Sequence, residues 1–175
     1  MEKKDKLEFI KSRKSIRNFV HKEIKKDTIE KILECGRWAP SGLNNQPWRV
    51  NVVTHPTVKR MVGKSTKHGG LLESANVNLV VFLDKEKGYD RVKDIQAIGA
   101  FMENLLLGAH ALGLGAVWIG EILNNKEPVN EIFKLDPKQF ELMGVIAIGH
   151  IDEAMEKKKE KKRERRPLED FVDWL

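Results

Sequence analysis

The chain has 175 residues, of which 41% are hydrophobic and 33% charged, and a net charge of +6. That is enough for one well-buried core and too little for two. A single cysteine, Cys35, excludes an intrachain disulfide framework and fits a cytoplasmic setting. Residues 1–6 are charged and lead into no apolar signal segment, and runs such as 79–83 are too short to span a bilayer, so neither targeting nor membrane insertion is expected.

The first predicted element is a helix over 5–14, with Leu7 and Ile10 on one side, which delivers Arg13 and Ser15 at its C-terminal end. Asp27-Thr28-Ile29-Glu30 reads as a capping box for a second helix, buried through Ile29, Ile32, Leu33 and Gly36 and ending before Pro40. Trp48, Val50 and Val52 alternate with Arg49 and Asn51, a strand with one face on the core. A short helix follows over 57–64, then an apolar run over 77–84 that reads as a strand buried on both faces.

Apolar residues recur at helical spacing from 94 to 112 around a wide surface, which predicts the central helix. Strands over 115–119 and 142–148, separated by a helix near 128–133, complete one α+β domain spanning 1–175 with four strands. Residues 152–175 form a highly charged arm that ends in Leu168, Phe171, Val172, Trp174 and Leu175. Such a tip must be buried on its own core or on a second copy, and the second copy is favoured.

Two segments stand out chemically. Arg13-Lys14-Ser15-Ile16-Arg17 offers fixed cations and a hydroxyl, although alone it also reads as a helix end carrying solvated charge. Between Pro40 and Pro47, Ser41 and the amides of Asn44, Asn45 and Gln46 are crowded into one loop, which suits a ligand with many hydroxyls or a heterocycle edge, although it also reads as a polar loop stabilised by its own backbone contacts.

Other motifs carry less. Gly113-Leu114-Gly115 follows a helix and precedes a strand, the reverse of a dinucleotide fingerprint, and reads as a helix C-cap. The five histidines show no ligand spacing, so no metal is expected. Ser41 lies outside any nucleophile elbow. The basic run 157–166 is interleaved with glutamates and lacks aromatics, so a solvated segment is the default over a nucleic-acid footprint.

Taken together, Arg-x-Ser-x-Arg, Pro-Ser-x-x-Asn-x-Gln-Pro-Trp, the Gly-Leu-Gly helix exit, Trp118-Ile119-Gly120-Glu121 and the C-terminal Arg-x-Arg-Arg-Pro resemble the FMN-dependent nitroreductase family. The resemblance runs from about residue 11 to the C-terminus. It implies an intertwined homodimer with a central mixed sheet of four strands plus one from the partner chain, flanked by helices, and FMN at the subunit interface. By position, Arg13, Lys14, Ser15 and Arg17 correspond to flavin contacts, Pro40, Ser41, Asn44 and Gln46 to residues lining it, and Gly120 and Glu121 to the backbone facing its ring. Arg163 and Arg165 correspond to cations on the phosphate. The implied activity is electron transfer from NADH or NADPH to nitroaromatics, quinones or related acceptors by a ping-pong mechanism, with flavin N5 as the reactive centre and no catalytic side chain. Other flavin chemistry, such as reductive dehalogenation or flavin degradation, and a non-catalytic basic module are the alternatives. The stretch between Asp84 and Asp94 is short, which leaves the acceptor open.

Overall fold

The computed structural model describes residues 3–158 and 163–175; residues 159–162 of the basic run, Glu160 among them, lie outside the described residues. The helices are α1 (Lys3–Ser12), α2 (Lys26–Arg37), α3 (Pro56–Gly63), α4 (Gly69–Ser74), α5 (Arg91–Ala111), α6 (Lys126–Phe133) and α7 (Glu153–Lys158). The strands are β1 (Phe19–Val20), β2 (Trp48–Val53), β3 (Val77–Asp84), β4 (Gly115–Ile119) and β5 (Phe140–Ile151).

Local chemistry sets several boundaries. The Asp90 carboxylate accepts from Lys93 N at 3.0 Å, so α5 starts earlier than its apolar periodicity indicates. The expected capping box is not used: α2 begins at Lys26 with no side-chain cap, and Asp27 lies inside the first turn, where its charge favours the helix dipole. Gly113, at φ +71°, closes α5 and sends the chain into β4, as the C-cap reading requires. The helix α4 and the two-residue β1 are too short to leave a periodic signal.

Among the described residues all strand pairings are antiparallel, in the order β1-β5-β3-β2 with β4 also on β5, so the sheet has five strands there where four were expected. The parallel contact is the bridge between Ser15 and Ala116. β3 is buried along its whole length, as its apolar run predicted. Val77, Leu79, Val81 and Leu83 pack under α2 and α5, whereas Val80 and Phe82 face the cluster containing Val62, Leu72, Ile122 and Val129. The result is helices on both faces of one antiparallel sheet.

A bulge between Val81 and Phe82 shifts the β3–β5 register and puts Gly144 at φ +146°, where an added Cβ would lie 2.8 Å from Trp118 Nε1. Gly36 similarly lets α2 approach α5, with Leu105 and Phe101 occupying the place of a side chain.

Candidate functional site

The chain leaving α1 is tied to the second half of α5. Ser12 Oγ bonds His110 Nε2 at 2.8 Å, and the imidazole stacks on Phe9 with centroids 5.0 Å apart. Arg13, whose side chain is 20% exposed, lies with Nε 3.3 Å from Glu103 Oε1. Ile16 N donates to Ala116 O at 3.0 Å and the Ile16 side chain is buried, which fixes Ser15 at the edge of β4. Lys14 lines the same cleft as Arg13 and His110.

The arm returns to this place. Arg163 donates from Nη1 to Arg13 O at 2.8 Å and from Nη2 to Lys11 O at 3.0 Å, spending its guanidinium on orphan carbonyls at the end of α1. Burial first, and then the Arg13 and Arg163 guanidiniums, hold the His110 pKa below its ordinary value. The cluster is therefore cationic with a neutral imidazole at its base. Arg165 donates instead to its neighbour Glu164 O at 3.0 Å, Arg166 lies over the Phe171 ring, and Arg17 turns its guanidinium toward Ser15 O. Of the two arm arginines singled out, Arg163 is beside Arg13 and Arg165 is directed elsewhere.

The second segment has an unusual backbone. Leu43, Asn44 and Gln46 have φ of 55°, 54° and 48°, three non-glycine residues in the left-handed region within four positions. Each costs about 1–2 kcal/mol, less for the asparagine. Ser41 Oγ accepts from Gln46 N at 3.1 Å, and Gln46 Nε2 donates to Asn44 Oδ1 at 3.2 Å. Leu43 is 84% exposed at the crest, and Pro40 and Asn44 are exposed beside it. Loop residues held against their preference while offering polar groups outward are typical of ligand sites.

At the end of β4, Gly120 is exposed and Glu121 is anchored. The Glu121 carboxylate accepts from Thr66 Oγ1 and, at 3.1 Å, from Lys67 N. The Thr66 bond is the main reason its pKa lies below the usual carboxylate range. Asn125 Nδ2 donates to Ser65 O at 3.0 Å, a second tie between this turn and the α3–α4 connection. Glu121 thus fixes a backbone with its side chain.

The two polar segments do not meet in one chain. Asn45 is bonded to Asp94, and Arg13 pairs with Glu103. These anchors are nine positions apart on α5, about 13 Å along the axis and, net of whole turns, roughly half a turn around it. The body of α5 lies between them.

Sequence reading missed several participants. His110 and Glu103 are seven apart on one helix face, a spacing that signals a shared surface once one of them is implicated. Asp94, in the face of α5 that carries Ile98 and Phe101, is a buried charge in an apolar pattern. Thr66 and Lys67 carry no sequence signal; only folding brings them to Glu121. Among the described residues no group of His, Cys, Asp and Glu could hold a metal, and no helix is long and apolar enough to cross a membrane.

The model of the nitroreductase family matches residues 10–68 and 59–150, and the chain belongs to that family. It is 31% identical over 150 residues, 85% of this chain and 78% of the relative, to a Methanothermobacter thermautotrophicus protein bearing the name NADH dehydrogenase/NAD(P)H nitroreductase. A Desulfovibrio desulfuricans protein whose crystal structure contains FMN superimposes with a TM-score of 0.87 at 40% identity, covering 95% of this chain and 94% of that one. An FMN-dependent nitroreductase from Clostridium difficile superimposes with a TM-score of 0.78 at 26% identity, over 96% and 98% of the two chains.

Proposed function

We propose that the protein is a homodimeric FMN-dependent oxidoreductase that moves electrons from NADH or NADPH to nitroaromatic, quinone or related acceptors. The observation that carries the reading is that two polar segments suited to a ligand are anchored to opposite sides of α5. One half offers Arg13, Lys14, Ser15 and Arg163, suited to a phosphate and a polyol; the other offers a strained, amide-rich loop containing Asn44 and Gln46. A two-fold axis joins the loop of one subunit to the cations of the other and makes two complete sites.

Exposed apolar groups support the second copy. Val92 on α5, Leu7 and Ile10 on α1, and Trp38 are all exposed. Trp174 is 92% exposed at the tip of the arm. The outer edge of β2 ends the sheet and borders a cavity of about 740 Å³ whose walls include Ile24, Ile29, Leu33, Val52 and Val77. The end of the arm, beyond Pro167, is the segment we assign to the partner's β2 edge, as an added strand.

The residues present fit FMN. Arg13 and Arg163 supply fixed charge for a phosphate, and Ser15 supplies a hydroxyl for the ribityl chain. The Gly120-Glu121 backbone, pinned through Thr66 and Ser65, is rigid enough to face a planar ring, and Arg17 remains a candidate for its pyrimidine edge or the phosphate. When bound, FMN supplies the chemistry a protein lacks, accepting hydride from NAD(P)H and passing electrons on. This chain needs to bind and orient the ring and exclude water, without a nucleophile of its own. Reductant and acceptor would use the bound ring in turn, which would give ping-pong kinetics. The single cysteine fits a cytoplasmic enzyme.

Purified protein is expected to carry FMN, released on denaturation, and to bleach with NADH or NADPH under anaerobic conditions. Colourless protein that neither takes up FMN nor accepts electrons refutes the assignment. A screen of acceptors that reoxidise the bleached protein distinguishes nitro or quinone reduction from dehalogenation.

A further inference from the structure

The left-handed backbone of Leu43, Asn44 and Gln46 needs a brace, and the structure provides one outside the segment itself. Asp94 is 2% exposed and accepts three hydrogen bonds: from Asn45 Nδ2 at 2.7 Å on Oδ1, and from Tyr89 N at 3.0 Å and Asp90 N at 3.1 Å on Oδ2. Asn45 Nδ2 also donates to Lys87 O at 3.0 Å. The Tyr89 ring fills the space a side chain at Gly42 would require. A short connection between β3 and α5 is thus joined to the strained loop by one buried carboxylate and one amide.

These bonds are worth more than surface contacts. A carboxylate in a dry site accepts charge-assisted bonds, and its place in the first turns of α5 puts it at the positive end of the helix dipole. Asn45 itself has φ −72°, an ordinary conformation between strained neighbours, so it holds the loop through its side chain.

We propose that Asn45 and Asp94 are positioning residues of the flavin site: they clamp the left-handed Leu43–Gln46 turn so that its amides are presented in binding geometry before the ligand arrives. The proposal rests on the flavin reading above. It predicts pre-organisation, in which strain is held by the folded protein and is not induced on binding. Neither residue is assigned a contact with the ligand.

The test compares wild type, Asn45→Ala, Asp94→Asn and the double variant, all as full-length protein. Asp94→Asn preserves volume and an oxygen for the Tyr89 and Asp90 amides while disrupting the acceptor for Asn45. Hydrogen exchange of the Asn44, Asn45 and Gln46 amides in the FMN-free protein reads the clamp directly, because these amides bond Ser41 O, Gly42 O and Ser41 Oγ within the turn. FMN titration reads its consequence. Each single variant should exchange these amides at least about tenfold faster and bind FMN about tenfold more weakly, and the double variant should be no worse than the weaker single one. Exchange at β3 amides, which report the core, should stay unchanged.

Wild-type exchange and wild-type FMN affinity in both single variants overturn the clamp and leave the flavin reading standing. Losses that multiply in the double variant, or that follow a general rise in core exchange, also overturn it. Wild-type protein that binds no FMN overturns the flavin reading itself, and with it the clamp's purpose.

Discussion

If each flavin site is shared between two subunits, as proposed, combining two binding-deficient variants in one dimer is a decisive experiment. Arg13→Ala removes the cation beside Glu103, and Asn44→Gly removes the loop amide while keeping a residue that tolerates φ near 54°. Each homodimer then carries one lesion in both sites. In a two-fold heterodimer that shares sites across subunits, one site collects both lesions and the other is intact. Random assortment makes about half of the dimers mixed, so about one quarter of all sites should recover wild-type FMN affinity. The anchors lie about 13 Å apart along α5 and on opposite sides of it, and the shared-site reading takes the two halves of each site from different subunits. The assay is co-expression with two different tags, isolation of the doubly tagged species, and flavin released per dimer. The isolated heterodimer should hold about one tight FMN, and absence of any recovery with verified heterodimer refutes the shared site.

Three further outcomes follow from particular contacts. Glu141 accepts from Arg91 and Lys126, with Arg91 its largest influence, and its pKa is lowered from 4.5 to about 2. Protonating it is harder in the folded state, so its contribution is complete above pH 4.5 and is lost as pH falls through about 2. The shift corresponds to at most about 3 kcal/mol, and solvent around the exposed Arg91 reduces this to about 1–2 kcal/mol. Urea midpoints of wild type and Glu141→Gln should converge in acid; a constant gap across pH contradicts the assignment.

His110 has the opposite chemistry but the same direction. The unfolded chain takes up its proton near pH 6.5 while the folded imidazole resists, so stability should fall as pH drops below that value until the lowered folded pKa is passed. His110→Phe, which keeps the stacking on Phe9, should remove that slope, and a retained slope assigns it to another group. Gly144→Ala should cost about 2–3 kcal/mol through left-handed strain and collision with Trp118. A urea midpoint within error of wild type refutes that account.

Much was legible from residues alone because the physics involved is local. Periodicity and apolar runs exposed the buried faces of α2, α5 and β3, the glycine after α5 marked its end, and two polar motifs marked the segments to which the proposed flavin site is assigned. Boundaries shifted where side-chain caps competed with pattern, as Asp90 did for α5, and Asp27 failed to cap α2. The short α4 and β1 left too little pattern to detect.

What the sequence determined by itself is the α+β class, the family and the residue types able to hold a phosphate and a polar ring edge. The tertiary structure alone decided which of them stand together. It brought Arg163 to Arg13 across 150 positions, joined Thr66 to Glu121, buried Asp94 beneath a strained loop, and placed the two motifs on opposite sides of one helix. The physical reason is that such proximities depend on chain crossings and close packing between distant segments, which leave no local pattern to read.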